Sequence, residues 1–106
     1  MSNFDLVDRG AGRFELSGDM SFDTAEQILQ ASEKLFRRQA NIEIDLGAVQ
    51  RTDSAGLALL LEWTGRANRS GSAISFVAIP DKVRAIAETA EVQHLLERGY
   101  SSSSEK

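Results

Sequence analysis

The residues of this chain whose types and spacing best suit chemistry or recognition are Arg51, Thr52, Asp53 and Ser54, followed at once by Ala55, Gly56 and Leu57. Here a hydroxyl stands beside a carboxylate, in a polar turn that runs into a leucine-rich segment. Such a hydroxyl has three uses. It can cap the backbone N–H groups of a helix start, take a phosphate, or touch a partner from an exposed turn. The sequence keeps all three open for Ser54.

Enzymatic chemistry has little else to draw on. The single histidine, His94, lies in Glu91-Val92-Gln93-His94-Leu95-Leu96 and reads as a helical residue with no base or nucleophile beside it. The absence of cysteine removes a thiol nucleophile, a thiolate metal site and a disulfide framework. No glycine-rich phosphate loop of either standard spacing occurs. Asp19, Asp45 and Asp53 could gather a divalent ion at one edge of a sheet, but they lack a repeating ligand spacing. The expectation is a protein that catalyses nothing and uses no cofactor or metal.

The elements that must position Ser54 follow from periodicity. Residues 4–8 and 13–16 flank Arg9-Gly10-Ala11-Gly12, whose glycines suit a tight reversal, so the pair reads as a β-hairpin. Residues 17–22 read as a loop, with Ser21 or Asp23 as the cap of a helix carrying Ala25, Ile28, Leu29, Ser32, Leu35 and Phe36 at three- and four-residue steps. Ile42, Ile44 and Leu46 alternate as in a strand, and the leucine run from Leu57 predicts a helix to about Arg69. Ser70-Gly71-Ser72 closes it. A strand over 73–79 and a helix opened by Pro80 and Asp81 come next, the helix carrying Val83, Ile86, Ala87 and Ala90. A short terminal helix carries Val92, Leu95 and Leu96. The order ββαβαβα implies an α/β fold, a mixed sheet packed by helices, with parallel pairs where crossovers connect strands.

On the helix after Ser54, a spacing of about 100° per residue places Leu57, Leu60, Leu61, Thr64 and Ala67 on one core-facing stripe. Leu59 falls roughly opposite and Trp63 on the flank, so both are expected in an exposed docking patch with Arg51, Thr52, Asp53, Ser54, Ala55 and Gly56.

At 106 residues the chain is large enough to bury one core and too small for two. Residues 1–99 are expected to form the domain, and 100–106 a polar, disordered tail. A net charge of -4 argues against nucleic-acid binding. Arg37-Arg38 and Arg66/Arg69 are the local basic concentrations, and both read as solvated helix faces. No segment approaches the roughly 18 apolar residues of a membrane span. The first residues carry neither the basic flank nor the apolar block of a secretory signal, so a cytoplasmic location is expected.

Leu16-Ser17-Gly18-Asp19-Met20, Asp23-Thr24-Ala25, Ile44-Asp45-Leu46 and Thr52-Asp53-Ser54-Ala55-Gly56-Leu57, in that order and spacing, resemble a STAS domain. This module is shared by sulfate transporters and anti-sigma factor antagonists, and the resemblance runs from about residue 4 to 97. It implies a STAS-type mixed sheet. The run from Asp53 to Trp63, with Phe76-Val77-Ala78-Ile79-Pro80, is more similar to the small STAS subunit of Mla-type systems. That resemblance implies a cytoplasmic accessory subunit at the inner face of the inner membrane. It would bind the ATPase subunit of an ABC transporter, and through it the membrane permease, in phospholipid transport that maintains outer-membrane lipid asymmetry. The antagonist branch implies instead a partner anti-sigma factor kinase that phosphorylates Ser54. Antagonists carry an acidic residue two positions after the one matching Asp19, where this chain has Ser21.

Overall fold

Alternation in two strands decides which side of the sheet is buried. Phe14 and Leu16, and Ile42, Ile44 and Leu46, lie on the core side, while Glu43 turns to solvent and Glu15 and Asp45 stay half-buried. The computed structural model describes residues 3–98. Its elements are β1 (Phe4–Gly10), β2 (Arg13–Met20), α1 (Ala25–Phe36), β3 (Asn41–Thr52), α2 (Ser54–Ser70), β4 (Ala73–Val77), α3 (Asp81–Thr89) and α4 (Gln93–Arg98). The sheet order is β1-β2-β3-β4. β1 pairs antiparallel with β2, and β2–β3 and β3–β4 are parallel. The α/β order expected from the sequence, including the short last helix, is the one found. The expected tail at 100–106 lies outside the described residues.

β4 stops at Val77 instead of residue 79, where Ala78 takes φ 59° and leaves the extended region. The ends of β2 and β3 differ from expectation for another reason. Residues 17–20, expected in a loop, continue β2, and β3 runs on to Thr52. Their side chains do not alternate cleanly, yet the backbones pair from Ser17↔Ala48 to Met20↔Thr52 across two register shifts. Asp19 N–H also bonds Asn3 O at 2.9 Å. Ladder hydrogen bonds thus override a pattern that reads as loop. At the β1–β2 reversal Gly12 has φ +79°, and a Cβ there would collide with Asn41 O, so both conformation and space require glycine.

Helix α2 also corrects the expected docking patch. Leu59 is 3% exposed and Trp63 2%, so neither is available to a partner. A one-stripe reading assumes that only the sheet covers the helix. In fact α2 touches α1, α3 and α4 as well as β4, and its buried arc widens to Gly56, Leu57, Leu59, Leu60, Trp63, Thr64 and Ala67. Leu61 is left half-buried. The Trp63 ring centroid lies 5.6 Å from Phe36 of α1 and 6.4 Å from Phe76 of β4. Its indole N–H donates to Ser32 Oγ at 2.9 Å, satisfying a polar tip that burial would otherwise penalise.

Among the described residues no helix is long and apolar enough to cross a membrane. Trp63→Ala is expected to cost about 3–5 kcal/mol, through the cavity left by the ring and the lost indole bond to Ser32. Urea unfolding followed by far-UV circular dichroism measures this. A loss below about 1 kcal/mol would contradict a structural role for the ring.

Candidate functional site

The Ser54 turn is built where two parallel strands end together. Asp19↔Arg51 and Met20↔Thr52 are the last pairs of β2 and β3, so the turns that start α1 and α2 emerge side by side. Asp53 joins them. Its Oδ1 accepts from Ala55 N–H at 2.8 Å and its Oδ2 from Phe22 N–H at 3.2 Å. Asp53 is therefore the N-cap of α2, while Ser54 is the first helical residue and exposed. Of the three uses open to the Ser54 hydroxyl, capping has gone to Asp53, whose carboxylate suits a helix N-terminus electrostatically as well.

The neighbouring turn is equally ordered. Thr24, not Ser21 or Asp23, is the N-cap residue of α1. Its hydroxyl donates to Asp19 O at 2.9 Å and accepts from Ser21 N–H at 3.0 Å, tying the turn back to β2. Below the corner Gly56 is buried, and a Cβ there would collide with Thr52 Oγ1 and stand 3.0 Å from Met20 Cε. Close packing of α2 on the strand ends thus depends on glycine at 56.

The six expected turn residues divide by exposure. Arg51 and Ser54 are exposed, Thr52, Asp53 and Ala55 half-buried, and Gly56 buried. Arg51 Nη1 lies 3.4 Å from Asp19 Oδ2, a long pairing between an exposed guanidinium and a buried carboxylate. Asp19 Oδ1 and Ser21 Oγ are buried without a hydrogen-bond partner. Leu59 and Trp63 drop out of the site, for the packing reason given above. In their place stands Phe22, which sequence periodicity passed over: 83% exposed, with its backbone held by Asp53. The signal for it was a large aromatic in the polar segment from Ser21 to Thr24, outside the apolar stripe of the helix that follows.

Asp19, Asp45 and Asp53 do not converge, and among the described residues no group of three or more histidine, cysteine or acidic side chains could hold a metal. His94 is exposed on α4 and none of the segments forming the corner contains a histidine. What the corner offers is a small hydroxyl at a helix N-terminus, flanked by Arg51 and an exposed phenyl ring. That arrangement can receive another polypeptide, or a phosphate on Ser54.

A family profile described as "Mlab, STAS domain" matches residues 7–97. No curated protein sequence matches the chain significantly. Among solved structures it is similar to the anti-sigma factor antagonist SpoIIAA in its unphosphorylated form, at 17% identity over 86% of this chain and 83% of that one, with a TM-score of 0.65. A sulfate transporter family protein from Wolinella succinogenes is 15% identical over 87% of this chain and 75% of its own, with a TM-score of 0.64. The murine anion transporter Slc26a9 matches 83% of this chain with 14% of its own length, at 17% identity and a TM-score of 0.57. At these identities the likeness is one of fold.

Asp53→Ala removes both bonds and is expected to cost about 1–2 kcal/mol, whereas Asp53→Asn has one acceptor oxygen, keeps the cap on Ala55 N–H, gives up the bond from Phe22 N–H and should lose about half as much. Thermal or urea unfolding compares them. Equal losses in the two variants would show that the bond from Phe22 N–H, not the cap on α2, holds the corner.

Proposed function

The chain belongs to the STAS domain family described as Mlab, and from that membership we propose that it is a non-catalytic subunit which binds the ATPase subunit of an Mla-type ABC phospholipid transporter. The observation that carries the reading is Ser54 and Phe22 both exposed on turns tied together by Asp53. An ordered corner loses little conformational entropy on binding. Ser54 allows close backbone approach, Phe22 supplies apolar area, and Arg51 meets an acceptor on the partner. A phenyl ring buried in a fitting pocket acts as a binding hot spot worth about 2 kcal/mol or more. Bound there, the subunit stabilises the ATPase in its working arrangement. Through the ATPase it sits beside the permease at the inner face of the inner membrane and supports outer-membrane lipid asymmetry.

A second reading rests on Ser54 itself, an exposed hydroxyl on the first residue of a helix. In that reading the chain is an anti-sigma factor antagonist and a partner kinase phosphorylates Ser54. The phosphate adds about -2 charge at a helix N-terminus that tolerates it, close to the carboxylate of Asp53, and so repels an acidic or apolar contact.

Co-purification with the ATPase subunit tests the first reading. Ser54→Arg should leave the domain folded and abolish the complex and its stimulation of ATP hydrolysis. Phe22→Ala should weaken binding at least about tenfold, near 1.4 kcal/mol, while changing stability by under about 0.5 kcal/mol. Complex formation unaltered in both variants would remove the reading. Phosphate on Ser54, gained from a cognate anti-sigma kinase and ATP with release of that kinase, would establish the second in its place.

A further inference from the structure

At the end of the molecule opposite Ser54, the C-terminal turns of α1 and α2 and the first residues of β3 and β4 border an open cleft of about 410 Å³. That volume falls within the range of small-molecule sites. Its apolar lining is the half-buried Phe36 over the buried Ile42, Trp63 and Ile74, and its basic side is Arg37, Arg38 and Arg66, with Glu33 as the lone carboxylate in the lining. The two basic stretches that read separately as solvated helix faces thus meet across one cleft. They do so in a chain whose net charge is -4, so the excess of positive charge is local.

The three guanidiniums are not equivalent. Arg66 is held by Glu62 at 2.9 Å and Glu33 at 3.1 Å, and these hydrogen bonds, Glu62 first, keep its pKa above the ordinary value. Among the described residues, Arg37 and Arg38 make no side-chain ion pair, and both are exposed. Arg38 has φ 68°, a left-handed conformation that is uncommon for a residue with a Cβ. Neutralising the C-terminal dipole of α1 explains positive charge at this place. It does not explain a cleft with an aromatic and aliphatic wall beneath that charge.

We propose that this cleft binds an amphipathic anion, a phosphate or carboxylate group joined to a short apolar body, with Arg37 and Arg38 on the anionic group and the half-buried Phe36 against the apolar part. Charge complementarity selects the head, and the apolar wall selects for a tail over a bare ion. The site is separate from the Ser54 corner and does not rest on the identity of the partner there.

Trp63, the single tryptophan, is buried behind Phe36 with ring centroids 5.6 Å apart, and reports occupancy of the cleft through that contact. The full chain is titrated with octyl phosphate below its micellar concentration, with inorganic phosphate, and with octyl glucoside, while tryptophan emission and melting temperature are followed. Expected are a saturable emission change and a raised melting temperature with octyl phosphate, with apparent affinity at least tenfold lower for inorganic phosphate. Arg37→Ala combined with Arg38→Gly should weaken octyl phosphate binding at least tenfold. Glycine suits the backbone at 38, so this variant keeps its fold, which circular dichroism verifies. Ser54→Arg should bind octyl phosphate as wild type does. The proposal is overturned by no saturable response, by an equal response to octyl glucoside or to inorganic phosphate, or by undiminished binding in the arginine variant.

Discussion

Parallel pairing of β2 with β3 through Met20 and Thr52 is the constraint on which the rest of the molecule depends. Because these strands end level with each other, the two helices that follow them start side by side. One carboxylate, Asp53, can then serve both, capping α2 through Ala55 N–H and holding the neighbouring turn through Phe22 N–H. Had β2 stopped at Leu16, as its side-chain alternation suggests, Phe22 would not be fixed beside Ser54. The carboxyl ends of parallel strands are where α/β sheets commonly place their binding sites, since loops there are free to vary above a rigid base.

Core packing and surface exposure are assigned to different aromatic rings. Trp63 is sealed between α1, α2 and β4, in line with Phe14, Phe36 and Phe76. Phe22 contributes almost nothing to the core and lies open beside a serine small enough for close approach. The division leaves the exposed corner free to vary while the aromatic row keeps the helices in place. It also removes the tension in a docking patch drawn from the same helix face that must hold the fold together.

Charge is divided along the same axis. The carboxylates of Asp19 and Asp53 lie at the corner with Arg51, whereas Arg37, Arg38 and Arg66 gather around the cleft at the far ends of α1 and α2. The sheet between them carries Glu43 outward and Glu15 and Asp45 half-buried. Both ends are therefore polar surfaces over apolar floors, one flanked by a helix N-terminus and the other by helix C-termini.

The sequence by itself determined the order of elements, the alternation that buries Ile42, Ile44 and Leu46, and the importance of the turn at Ser54. These are local properties, set by side-chain period and by residues within a few positions of one another. The tertiary structure alone decided which residues of α2 face inward, because a helix covered on several sides buries a wider arc than a single stripe predicts. That enclosure took Leu59 and Trp63 out of the surface. Contacts between residues about thirty positions apart, Phe22 with Asp53 and Ser32 with Trp63, placed the cap, the exposed ring and the cleft. Such pairings leave no mark in local periodicity, since they exist only once β2 and β3 have set the two helices side by side.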